Sequence, residues 1–269
     1  MIWILAPFLV CVVLSCVHAL LGFRVIARNI IFLDLALAQL AAFGATLGLA
    51  FGLSPEGAGM TVTAMAITTI GAVFFTFIPE KYRGVSQEVV IGLVYVMAVA
   101  GVVIAIRSSP AEAHHLTDML VGNILFVSLS DVGSLAIYYG ALIAIYAGLR
   151  RVVLSRLPQG SRWHDFVFYV FFGWVVTSSV KVAGVLLVFV FLIVPAVAAL
   201  WWGIQRPFYR WLFALVFGML FSALGLLLSV VLDWPTGAAI VLAAGAMVSL
   251  LRIVVAMFNG GPKTTKPAI

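Results

Sequence analysis

Residues 166–202 read FVFYVFFGWVVTSSVKVAGVLLVFVFLIVPAVAALWW, and Lys181 is the single charge in that run. A helix that crosses a bilayer needs roughly 20 mostly apolar residues, so the run is too long for one helix and long enough for two. It reads either as two tightly connected spans, 166–181 and 183–202, or as one span followed by a broken, partly re-entrant segment. Pro195 lacks a backbone donor and is expected to break or kink the second of them. Lys181 falls where the run would turn. Its long stem can carry the ammonium to the external interface, and the alternative is a part in gating.

The rest of the chain has the same character. Of 269 residues, 65% are hydrophobic and 9% charged, against about 25% charged in an ordinary soluble domain. Nine acidic and fifteen basic side chains cannot coat a water-facing exterior, and a mean hydropathy of +1.24 agrees. The composition therefore predicts an all-α polytopic membrane protein in a lipid bilayer. The formal charge of +6 does not point to nucleic acid, because the arginines are dispersed at the ends of apolar runs and form no basic stripe with aromatics.

Nine runs can span: 2–21, 30–52, 60–78, 88–106, 132–149, 166–181, 183–202, 208–231 and 236–257. Eight result if one of the two segments around Lys181 does not cross. Basic residues favour the odd connections: Arg24 and Arg28, then Lys81 and Arg83, then Arg150, Arg151, Arg156 and Arg162, then Arg206 and Arg210, and Lys263 and Lys266 in the tail. The alternate loops carry Glu56, Arg107 with Glu112, Lys181, and Asp233. This bias predicts an external N-terminus and a cytoplasmic tail over 259–269. The first run lacks a basic leader and an Ala-x-Ala site, so it reads as a transmembrane helix and not as a cleaved signal peptide. Glu88 and Arg162 read as boundary residues.

Between Arg107 and Asp131, the apolar part Met119–Leu129 is too short to cross and is expected to form a short interfacial or re-entrant helix. His114 and His115 beside it point about 100° apart on a helix and do not complete a metal site; they read as solvated loop histidines. His18 and His164 are isolated and structural. Cys11 and Cys16, five apart, diverge by about 140° on a helix, so they read as buried apolar side chains and not as a disulfide.

The second span, IFLDLALAQLAAFG at 31–44, holds Asp34 and Gln39 in apolar surroundings. A carboxylate within a membrane is costly and marks either a pathway or a polar contact between helices; Asp34 lies close enough to the cytoplasmic side to face water. Gln39 is deeper and reads first as an interhelical hydrogen-bonding group. Gly44, Gly48 and Gly52 form a GxxxGxxxG ridge for close backbone approach, and Asp34, Ala38, Ala41 and Ala45 form a second narrow face. Nothing in the sequence matches GxxxxGK[ST], HExxH or GxSxG, so neither a nucleotide-binding loop nor these hydrolase sites are expected in this chain.

GFRVIARNIIFLDLALAQLAAFG at 22–44 and VTSSVKVAGVLLVFVFLIVPAVAA at 176–199 carry a resemblance. EVVIGLVYVMAVA at 88–100, LVGNILFVSLSD at 120–131 and LDWPTGAAIVL at 232–242 support it in the same order. From about residue 5 to 257 the chain resembles the membrane permease subunits of ATP-binding-cassette importers for zinc, manganese and iron. The resemblance implies one permease domain over 1–258 in the plasma membrane that binds no cofactor. It also implies a second copy of the chain, cytosolic ATPase subunits that use the ATP, and an extracytoplasmic metal-binding protein, with a divalent metal as cargo. Alternating access would follow from differential contacts in two states.

Two departures qualify what the resemblance implies. Many zinc and manganese members carry Gly-Asp-x-Leu-x-His after the residue equivalent to Phe32; overlaid here, the Gly falls on Asp34, the Asp on Leu35 and the His on Gln39. Asp34 and Gln39 are five apart and diverge, and Gln is a weaker zinc ligand than imidazole. The metal ligands are thus unknown, with Asp34, Gln39 and Lys181 as pathway or gate candidates. Relatives also carry a longer stretch before WHDFVFY that forms a helix docking into the ATPase, whereas 150–165 is short here. That leaves an unusual ATPase contact or a transport-inactive scaffold retaining the fold. An ion-coupled secondary transporter is the third reading, disfavoured by few intramembrane charges and no evident inverted repeat.

Overall fold

The computed structural model describes residues 4–54, 57–106, 124–152, 154–158 and 161–258. They contain nine α-helices: α1 (Leu5–Ala27), α2 (Leu33–Ala50), α3 (Ala58–Thr76), α4 (Gln87–Ile106), α5 (Leu129–Val152), α6 (Arg162–Ala183), α7 (Val185–Trp201), α8 (Pro207–Leu232) and α9 (Thr236–Phe258). Eight are long and apolar enough to cross a membrane; α7, at 17 residues, is the shorter apolar helix. The all-α polytopic expectation holds. A small addition is the hairpin of β1 (Lys81–Tyr82) and β2 (Val85–Ser86), turned by Arg83 and Gly84, both at positive φ.

The run around Lys181 is two helices. The break falls at Gly184, whose φ of 80° and ψ of 160° belong to a region essentially reserved for glycine. Lys181 is still helical, so the charge does not make the turn; the residue without a Cβ does. Pro195 does not break α7, which runs through it. Its ring is accommodated across the interface: a Cβ on Gly218 of α8 would lie 3.8 Å from the ring's Cγ.

Side-chain contacts order the bundle end to end. At one end, Arg28 beyond α1 pairs with Asp165 of α6 at 2.8 Å. There too Arg210 of α8 lies over Phe23, and Arg252 of α9 lies over Trp201 at the end of α7. The opposite end holds Lys181, which reaches Thr61 at the start of α3. The helix α7 therefore returns from the Lys181 end to the arginine-rich end, even with fewer residues than its neighbours.

Close crossings need small residues. A Cβ on Gly22 of α1 would lie 1.9 Å from the Leu192 carbonyl oxygen of α7, and one on Gly225 of α8 would lie 2.4 Å from Ile240 Cα of α9. The expected glycine ridge is two residues long. Gly44 and Gly48 lie against Thr63 of α3, whereas Gly52, at φ 80°, has nothing within 4 Å and ends α2. There Leu53 N–H bonds back to the Gly48 carbonyl, as helix ends with a left-handed glycine do. The first helix extends past its expected end at 21 to Ala27, with Arg24 in its last turn. Gly22 is in fact a packing residue, and an arginine at a helix end can reach the interface.

The expected interfacial helix Met119–Leu129 lies partly outside the described residues; from 124 on there is one 3-10 turn, Ile124–Phe126, and then α5 begins at Leu129. His114, His115, Glu56, Arg107, Glu112 and the tail, with Lys263 and Lys266, lie outside the described residues. Cys11 and Cys16 are free thiols.

Candidate transport cavity

At the Lys181 end, α2, α3, α5 and α6 line an open cavity of about 490 Å³. Its walls are mainly apolar, built from Ala41, Ala45, Ala64 and Leu135; polar groups among them include Asp131, Ser134, Tyr138, Thr177 and Lys181. The small α2 face predicted from the sequence makes this possible. Ala41 and Ala45 pack with Ala64 of α3 and leave open volume where larger side chains would fill it. Among the described residues Lys181 reaches no carboxylate; its ammonium lies 3.4 Å from the Thr61 hydroxyl and is exposed.

Asp131 was legible only as a loop end. It belongs to the first turn of α5, where its Oδ2 accepts from the Ser128 backbone N–H at 2.9 Å and from the Ser128 hydroxyl at 2.6 Å. Reciprocally, the Asp131 N–H donates to Ser128 Oγ at 3.3 Å. This is capping-box chemistry with Asp in the acidic position, and it holds the carboxylate at the cavity wall. The phenol oxygen of Tyr138 is buried with no hydrogen-bond partner among the described residues. It is the polar atom of the cavity that sequence reading missed.

At the cavity wall and beside it, polar side chains join the helices. Thr177 of α6 donates to Thr68 of α3 at 3.1 Å, and Trp174 Nε1 donates to Thr69 Oγ1 at 2.9 Å. Deeper still, His18 of α1, Tyr139 of α5 and Ser179 of α6 form a buried cluster. His18 Nδ1 lies 2.9 Å from the Leu14 carbonyl, so Nδ1–H donates there. The Ser179 hydroxyl lies 3.0 Å from Nε2 of the neutral ring and donates to the Val175 carbonyl at 2.6 Å, so its one proton is shared between the two acceptors, and Tyr139 donates to Ser179 at 2.5 Å. His18 is structural, as expected, but as the anchor of a three-helix network.

The sequence-selected residues do not converge. Lys181 lines the cavity, whereas Asp34 starts α2 near the arginine-rich end. Asp34 is fully buried, and neither carboxylate oxygen has a hydrogen-bond partner among the described residues. It is neither water-facing nor an interhelical hydrogen-bonding group in this structure. Gln39 is buried as well. Among the described residues no group of three or more His, Cys, Asp or Glu side chains is placed to hold a metal ion.

At the arginine-rich end polar contacts tie the helices together. Besides the Arg28–Asp165 pair, Gln87 of α4 donates to the Phe75 and Ile78 carbonyls at 3.0 and 3.2 Å, and meets the Tyr169 hydroxyl of α6. The connection from α5 to α6 contains one 3-10 turn, Leu154–Arg156, and the Ser161 cap of α6. Among its described residues there is no longer helix of the kind expected to dock into an ATPase.

A family model described as "ABC 3 transport family" matches residues 2–258. The chain is similar to the manganese transport system membrane protein MntC of Halalkalibacterium halodurans, 26% identical over 203 residues, which span 72% of this chain and 69% of that one. Its fold is similar to a chain of PsaBC from Streptococcus pneumoniae, solved in complex with Fab: TM-score 0.73, 19% identity, 96% of each chain. It is also similar to an inward-facing conformation of a putative metal-chelate type ABC transporter: TM-score 0.67, 16% identity, 93% of this chain and 85% of that one.

Proposed function

The chain belongs to the ABC 3 transport family, and on that premise we propose that it is the permease subunit of an importer for a divalent metal cation, manganese first among the candidates. The relative named as a manganese transport membrane protein supports the choice of metal. The permease works in the bacterial plasma membrane as a pair of identical chains, with cytosolic ATPase subunits and an extracytoplasmic metal-binding protein. The basic connections support a cytoplasmic arginine-rich end, and in this reading the N-terminus is external and the Lys181 end faces the donor protein.

The observation that carries the mechanism is the asymmetry of the bundle. A cavity of about 490 Å³ lies at the proposed external end, and at the other end the Arg28–Asp165 pair and the Gln87–Tyr169 contact tie α6 to α1 and α4. Alternating access needs these two ends to exchange states, and ATP binding by the partner supplies the differential interaction that shifts them. Asp131 offers the cation a carboxylate at the wall; Lys181 opposes it with a positive charge and acts as a gate residue. The chain performs no covalent chemistry in this scheme.

The test is reconstitution with the candidate ATPase in proteoliposomes, with manganese, zinc and iron uptake measured separately in the presence and absence of ATP. ATP-dependent accumulation of one of these metals supports the proposal. Assembly with the ATPase without uptake of any metal overturns it, and the short α5–α6 connection would then mark a transport-inactive scaffold.

A further inference from the structure

The arginine-rich end holds a second cavity, outside the path proposed for transport. It measures about 340 Å³ and lies between α1, α5 and α6, lined by Arg24, Arg28, Tyr146, Arg150, His164 and Phe168. Three guanidinium groups and an imidazole converge there. Among the described residues, Arg28 alone of the three has a carboxylate, Asp165 at 2.8 Å. Arg24 has the face of the Tyr146 ring, 5.4 Å from its Cζ, and Arg150 is exposed on the last turn of α5. Neither Arg24 nor Arg150 makes an ion pair among the described residues.

From this geometry we infer that the cavity is a binding site for the phosphate headgroup of an anionic phospholipid. Like charges gathered without counterions are unfavourable, and a phosphodiester answers two guanidinium groups with bidentate hydrogen bonds. Basic pockets between transmembrane helices at the cytoplasmic side are suited to such headgroups. Depth and surroundings choose lipid over a soluble partner. Arg24 and Arg150 belong to the helix bodies of α1 and α5, at the level where apolar spans end. Beside the cavity, Ile145, Leu149 and Val152 of α5 are exposed and provide an apolar track for an acyl chain. Leu154 and His164 bring the α5–α6 connection to the same cavity, so ATPase association is measured beside lipid retention.

The full permease, purified in detergent, tests this by native mass spectrometry with dioleoyl phosphatidylglycerol and dioleoyl phosphatidylcholine. Wild type should retain the anionic lipid at least tenfold more tightly than the zwitterionic one. With roughly fivefold lost per arginine near a membrane surface, Arg150→Gln should weaken retention about fivefold and the Arg24→Gln/Arg150→Gln pair about thirtyfold. Arg150 is exposed, so its single variant carries the test if the double variant does not fold. Equal retention of both lipids, or retention unaffected by Arg150→Gln, overturns the inference. So does displacement of phosphatidylglycerol by millimolar inorganic phosphate, which would make this a free-anion site. Loss of ATPase association in Arg150→Gln with lipid retention intact would assign the pocket to protein docking and overturn it as well.

Discussion

Gly22→Ala tests the crossing on which the bundle is built. The new methyl would lie 1.9 Å from the Leu192 carbonyl oxygen, 3.0 Å from its carbon and 3.1 Å from Ala196 Cβ. Ordinary van der Waals contact begins near 3.4 Å, so α1 and α7 must separate by about 1.5 Å along that line. The obstructing atom is backbone, which cannot swing aside as a side chain would. Overpacking of this kind costs about 1–3 kcal/mol, and a rigid obstacle puts Gly22→Ala at the upper end. At about 2–4 °C per kcal/mol for a chain of this size, Tm should fall by about 6–12 °C. The assay is thermal unfolding of the purified protein in one detergent, with Gly92→Ala as control. Gly92 is helical with nothing within 4 Å of its would-be Cβ, and alanine is the better helix former by about 1 kcal/mol. Gly92→Ala should hold or raise Tm. A Gly22→Ala protein that melts with wild type would refute the α1–α7 contact.

Two further perturbations separate structure from transport. Ser179→Ala leaves His18 Nε2 and the Tyr139 hydroxyl without their partner, at about 1–3 kcal/mol for each orphaned group. Tm should drop by several degrees, and Tyr139→Phe added to it should cost less than the sum of the two single changes. Additive losses would mean that the three side chains do not act as one network. Asp34→Asn keeps the shape and removes the charge of a buried carboxylate. If Asp34 serves the pathway, ATP-dependent uptake falls at least tenfold while the permease–ATPase complex still assembles; unchanged uptake makes it a packing residue.

The fold was legible because lipid imposes a simple rule: apolar runs of sufficient length become helices whose backbone polar groups are satisfied internally. That rule located all nine helices, but not their joints. In 166–202 the eye goes to Lys181 and Pro195, whereas the chain turns at Gly184, since a positive φ and not a charge decides where a helix can reverse. Gly22 resembled the end of a run and is its tightest crossing, a fact that depends on a partner some 170 residues away in sequence, at Leu192. The cavity was half visible. The alanine face of α2 and Lys181 stood out, but Tyr138 and Asp131 acquire meaning only when α5 is placed against α6. Ser128 and Asp131 do carry a readable capping spacing. Asp34 and Gln39 attracted notice for their rarity in an apolar run, and rarity alone does not place two residues in one site.

The central claim is that the cavity between α2, α3, α5 and α6 is the external end of the transport path. Ser134 is exposed on the cavity wall, so Ser134→Trp fills that space without displacing the core. The deciding measurement is ATP-dependent manganese uptake by proteoliposomes that contain this variant with its ATPase, beside wild type. Uptake should fall at least tenfold, with Tm and ATPase association unchanged. Uptake at the wild-type rate with the cavity filled would contradict it.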